Sequence, residues 1–131
     1  MVNKNKMLSV DNLKLEIEKY VSLQDNIEVV YLFGSAATGK MRRTSDLDIA
    51  IMSTRQIDGF EKITMETELS NLLQIDVDLV IFHQAQVLLQ HQILKHGRLL
   101  YERDSKVRVQ QETSARREYL ETRFLFRELA V

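Results

Sequence analysis

A chain of 131 residues, 44% hydrophobic and 28% charged, has the length and composition of one globular domain. The absence of cysteine excludes a disulfide framework, a zinc–thiolate cluster and a thiol nucleophile, and 18 Lys+Arg against 19 Asp+Glu leave a net charge of -1, with no global positive field to draw in nucleic acid. No apolar run approaches the roughly 18 residues of a membrane helix and the N-terminus lacks a signal-peptide core, so the expectation is a soluble cytoplasmic protein.

In chain order, residues 1–8 are polar, and Ser9 or Asp11 can cap a first helix whose Leu13, Ile17, Tyr20 and Val21 recur at helical spacing. The β-branched and aromatic run Ile27 to Phe33 predicts a buried strand stopped by Gly34. Ala36, Ala37 and Thr38 then predict one helical turn ended by Gly39, before the polar loop KMRRTS. Asp46 to Met52 predicts a second strand, with Leu47, Ile49 and Ile51 on one face and Asp46, Asp48 and Ala50 on the other. A helix over 57–73 is expected to bury Ile57, Phe60, Ile63, Leu69, Leu72 and Leu73, and Ile75 to Phe82 reads as a third strand with Asp76 and Asp78 on one face. A helix from Ala85 to His96 closes at Gly97, read as its C′ glycine, and RLLYE adds a short edge strand. From Asp104 onward the sequence lacks Gly and Pro and predicts one long helix, with Tyr119, Leu120, Phe124, Phe126 and Leu129 as its apolar side. That side could pack on the chain's own sheet or offer a docking surface. The fold class expected is α/β (α+β), a small mixed β-sheet flanked by helices, with residues 1–103 as the core domain and 104–131 as a helical extension of it.

Two features carry chemistry. Gly34-Ser35 follows a strand and opens a helical turn, where backbone N–H groups and a hydroxyl can hold phosphate oxygens, although such a pair is also commonly a plain turn. Ten residues further on, Asp46 and Asp48 at i and i+2 stand about 6.6 Å apart at Cα on one strand face, where their mutual repulsion would be relieved by Mg²⁺. The alternative is a solvated polar face. If the third strand lies near the second, Asp76 or Asp78 can reach the same place, and three carboxylates can hold two metal ions for in-line displacement at phosphorus. His83, His91 and His96 show no matched metal spacing, and the five methionines read as core filler.

The stretch YLFGSAATGKMRRTSDLDIAIM, followed by VDLVIF and QILKHGRLLYE, resembles the minimal nucleotidyltransferases of the DNA polymerase beta superfamily, in motif order, spacing and strand context, over roughly residues 9 to 102. The resemblance implies that Gly34 and Ser35 grip the triphosphate of ATP, that Asp46 and Asp48 bind two Mg²⁺ ions, and that Asp78 is the third ligand, with Asp76 its rival. Many members carry arginines where this chain has Ala36 and Thr38, which leaves Lys40, Arg42 and Arg43 as cationic candidates beside a plain basic loop.

Within that superfamily the chain is similar to MntA-type antitoxins of HEPN/MNT toxin–antitoxin pairs. This implies an enzyme that transfers AMP from ATP to a tyrosine of a cognate HEPN ribonuclease toxin, in a hetero-oligomer with it, without direct contact to nucleic acid or membrane. The competing readings are a non-catalytic toxin-binding antitoxin and a nucleotidyltransferase acting on a small molecule such as an aminoglycoside.

Overall fold

The computed structural model describes residues 10–39 and 46–129, with the side chains of Val10 and Glu128 set aside. Ser9 and the basic residues Lys40, Arg42 and Arg43 lie outside the described residues. The elements run α1 (Val10–Ser22), β1 (Ile27–Phe33), α2 (Ser35–Thr38), β2 (Leu47–Ser53), α3 (Gly59–Leu73), β3 (Val77–Ile81), a 3-10 turn (Phe82–Gln84), α4 (Val87–His96), β4 (Arg98–Glu102) and α5 (Ser105–Leu129). The four strands form one mixed sheet in the order β3-β2-β1-β4. β1 pairs antiparallel with β2 and β4, whereas β2 and β3 are parallel and are joined through α3, the crossover that parallel strands require.

Both faces of the sheet are covered. Leu13, Ile17 and Val21 recur every four residues on α1 and meet Met65, Leu69 and Leu73 of α3 over Leu47, Ile49 and Ile51 of β2. On the opposite face, Val29 and Tyr31 of β1 and Ala50 and Met52 of β2 lie under Phe82, Ile93 of α4 and Ala115 of α5. A register shift between Ile27 and Val29 lets these two residues serve opposite faces although they are two positions apart. Tyr31 reaches through the second layer, its hydroxyl donating to the Glu112 carboxylate, which Arg108 and Arg116 also hold at 3.3 Å. Burial, followed by that carboxylate, pushes the Tyr31 phenol well above its ordinary pKa.

Several expectations need correction. The third strand is shorter than 75–82: Ile75 and Asp76 precede it, and Phe82 begins a 3-10 turn that delays α4 to Val87. Asp11 sits inside the first turn of α1 rather than before it. α3 starts at Gly59 because the Asp58 carboxylate caps it, accepting from Glu61 N at 2.8 Å. Phe60, Ile63 and Leu72 are exposed, since the buried stripe is Met65, Leu69 and Leu73, spaced by four, and these three fall off it. Gly97 is not left-handed (φ -75°, ψ 164°); a Cβ there would collide with the Ile93 carbonyl oxygen and stand 3.0 Å from that of Leu32, so the glycine serves close packing. Gly39 does end α2 in the left-handed conformation, as expected. The terminal helix forms, but Leu120, Phe124, Leu125, Phe126 and Leu129 are all exposed, because its distal half extends past the layer that Val107 and Ala115 help to build.

Candidate active site

The sheet register assembles the site. Asp48, the second residue of β2, lies between two neighbours: Phe33 at the end of β1 and Asp78, the second residue of β3. Neighbouring strands run about 4.8 Å apart, so Asp48 and Asp78 stand side by side on one face. Further along that face the same parity brings Ala50 and Met52, both fully buried under α4 and α5. The change from carboxylate to apolar side chain along β2 therefore marks where the helical cover begins.

Gly34 follows Phe33 directly and is held at φ 67°, ψ -146°, a conformation open in practice to glycine. A Cβ built on it would run into Asp48 Oδ2 and stand 3.2 Å from Asp48 Cγ. The sequence pattern makes Gly34-Ser35 a turn whose N–H groups and hydroxyl can hold phosphate oxygens; the geometry adds that the glycine makes room for the Asp48 carboxylate. α2 is too short to develop a dipole of consequence, so what it offers is the N–H groups of its first turn beside the half-buried Ser35. Thr38 turns its hydroxyl back onto the turn, 3.4 Å from the carbonyl oxygens of Gly34 and Ser35.

Asp48 is half-buried, and burial raises its carboxyl pKa; the charge of Asp78 adds to this, then that of Asp46. Asp76 is absent from those causes and lies just before β3, where its carbonyl accepts from Leu47 N at 2.8 Å. The register thus brings Gly34, Asp48 and Asp78 together, with Asp46 close enough to act on Asp48, and leaves Asp76 at the margin. Among the described residues the carboxylates are not drawn into a closed three-ligand cluster. Their chemistry is nevertheless that of a hard divalent cation's donor set, oxygen-only and mutually repelling.

Residues 15–106, more than two-thirds of the chain, match the family described as polymerase beta nucleotidyltransferase. The chain belongs to that family. As a nucleotidyltransferase it is 35% identical over 82 residues to the protein adenylyltransferase MntA of Shewanella oneidensis, the match covering 60% of this chain and 59% of that protein. In three dimensions it superimposes on a chain of a toxin–antitoxin crystal structure with AMP-PNP, at TM-score 0.75 and 24% identity over 90% of this chain and 98% of the other. A second superposition, on a chain from the tri-AMPylated Shewanella oneidensis HEPN toxin in complex with MNT antitoxin, has TM-score 0.66 and 21% identity over 90% and 98% of the two chains. These likenesses establish the shared nucleotidyltransferase fold. No helix among the described residues is long and apolar enough to cross a membrane.

Proposed function

We propose that this nucleotidyltransferase is an antitoxin that transfers AMP from ATP to a tyrosine hydroxyl of a cognate HEPN ribonuclease toxin and so silences it. The observation that carries the reading is the Asp48–Asp78 pairing beside Gly34, in a chain 35% identical to a protein adenylyltransferase over the same region.

In this reading Gly34 and Ser35 hold the triphosphate, through backbone N–H groups and the serine hydroxyl. Asp46, Asp48 and Asp78 would hold two Mg²⁺ ions; bound there, the ions neutralise the triphosphate and favour the ionised acceptor. A tyrosine hydroxyl, with an ordinary pKa of about 10, is a poor nucleophile at neutral pH. Asp78 accepts its proton as the phenolic oxygen bonds to the α-phosphorus and the bond to pyrophosphate breaks. The toxin presents the tyrosine, and the exposed row Leu120 and Phe124 on α5, with Leu125 beside it, offers an apolar face for docking it. Residues 104–131 belong to the same domain as 1–103, a reading supported by Val107 and Ala115 packing against the sheet.

That same exposed row favours a second reading, neutralisation by binding alone, since none of its residues lies in the aspartate site. Incubating the chain with ATP, Mg²⁺ and the HEPN protein tests the first. Intact-mass spectrometry should show additions of about 329 Da each on toxin tyrosine, the mass of one transferred AMP. The Asp46→Asn, Asp48→Asn double variant should lose the adduct and restore toxicity even while the proteins still associate. Full protection by that variant would leave binding as the mechanism.

A further inference from the structure

Between α4 and α5 runs an open groove of about 360 Å³, apart from the aspartates. Its base is apolar: Ala115 is buried against the sheet and Leu94 is half-buried beside it. The His91 and Tyr119 rings stack across the two helices, 3.7 Å between centroids and 5° between planes. That stack ties α4 to α5, so the groove stands formed in the free chain.

The charge on the groove has one sign. Lys95 of α4 and Arg116 and Arg123 of α5 line it, and no carboxylate does. Arg116, Tyr119, Leu120 and Arg123 follow one another at i, i+3, i+4 and i+7 on one face of α5, which sets the two arginines two turns, about 10.5 Å, apart. Arg116 pairs with Glu112 at 3.3 Å, whereas among the described residues Lys95 and Arg123 have no ion-pair partner. Glu118 turns away and lines a separate depression with Gln111 and Ser114. Three cations gathered without a carboxylate are a local feature in a chain of net charge -1. Past Leu120 the apolar surface continues onto Phe124, one turn further along α5, and both are about 60% exposed.

An apolar strip bordered by one sign of charge is complementary to an amphipathic helix that carries the opposite sign beside its apolar stripe. A phosphate backbone would answer the cations but leave Leu120 and Phe124 uncovered. We infer that the groove between α4 and α5 seats an acidic amphipathic helix of the partner toxin, with carboxylates seven residues apart facing Arg116 and Arg123. The inference rests on the toxin pairing of the proposed function and adds to it the place and the charge of the contact.

Isothermal titration of the full chain with the HEPN protein tests this. Affinity should fall roughly tenfold between about 50 and 500 mM NaCl. The Lys95→Gln, Arg123→Gln variant should bind several-fold more weakly than wild type, and the Lys95→Glu, Arg123→Glu variant more weakly again, by roughly tenfold or more, with melting temperatures of all three within a few degrees. Gln and Glu have the same shape, so lost packing would not produce that order. Equal affinity of the three chains, or affinity indifferent to salt, would overturn the inference. So would binding of labelled poly(U) RNA to the chain alone that the Glu variant abolishes, which would give the groove to nucleic acid. Intact-mass spectrometry on the same mixtures separates the two readings. AMP added with charge-blind association leaves catalysis standing without the groove; charge-dependent association with no AMP added leaves the groove standing without catalysis.

Discussion

Gly34→Ala isolates the contact on which the site is built. At φ 67° and ψ -146° an alanine is strained whatever surrounds it, at a cost of about 1–3 kcal/mol. The added Cβ also meets Asp48 Oδ2 and lies 3.2 Å from Cγ, so the carboxylate must leave its rotamer, at about 1 kcal/mol more. Unfolding entropy of about 2.1 cal/mol/K per residue gives a chain of 131 residues roughly 4 °C of Tm per kcal/mol. The expected fall is therefore about 8–16 °C, with AMP transfer lost because Asp48 no longer stands beside Asp78. The two contributions separate in a double-mutant cycle followed by urea denaturation. In an Asp48→Ala background the collision with the carboxylate is gone and Gly34→Ala should cost about 1 kcal/mol less than in wild type. An equal cost in both backgrounds would show that Gly34 does not serve to admit the Asp48 side chain. A total cost below about 0.5 kcal/mol would refute the strained conformation itself.

Three further outcomes are expected. Because the folded-state pKa of Asp48 lies above its ordinary 3.8, the native state binds the extra proton between those values, so stability falls as pH rises through that window and stays lower above it. Asp48→Asn should accordingly raise Tm at pH 7 while abolishing transfer; the gain should vanish below pH 3.8 and shrink when saturating Mg²⁺ is added to both proteins. In a transfer assay Asp78→Asn should abolish turnover while Asp76→Asn keeps much of it, and the reverse ranking would contradict the Asp48↔Asp78 register. Gly97→Ala should destabilise the fold by thermal melt, and Gly97→Asn should do no better; a rescue by asparagine would indicate a left-handed cap, which the φ of -75° excludes.

Much of this was legible in the residues because local pattern and global fold agree. Strand alternation placed Leu47, Ile49 and Ile51 in one core and Asp48 opposite, and the spacing of Leu13, Ile17 and Val21 set the buried face of α1. The order of Gly34, Ser35, Asp46, Asp48 and Asp78 pointed to a candidate site, of which the register brings Gly34, Asp48 and Asp78 together. What sequence could not carry was register across strands. Asp76 and Asp78 share a parity, and only the parallel pairing puts Asp78 level with Asp48. Close packing was equally hidden: at Gly97 the glycine answers first to the Ile93 carbonyl one helical turn back and then to that of Leu32, a residue remote in sequence, and Gly34 answers to Asp48. The apolar side of α5 was open between packing and docking for a related reason, since periodicity names a face but not what covers it; Leu120 and Phe124 are exposed.

The parallel junction of β2 and β3 also bears on how the protein acquires its activity. An antiparallel pair can zip from a turn, but β2 and β3 can meet only after the chain between them has crossed the sheet, so Asp48 and Asp78 are joined by a contact spanning thirty positions. Contacts of that separation form late, after local helices and tight turns, because the loop must close before pairing rewards it. During refolding, helix content should therefore return ahead of nucleotide binding, and a chain collapsed around α1 and α3 with β3 still undocked would carry every aspartate of the site and hold no nucleotide.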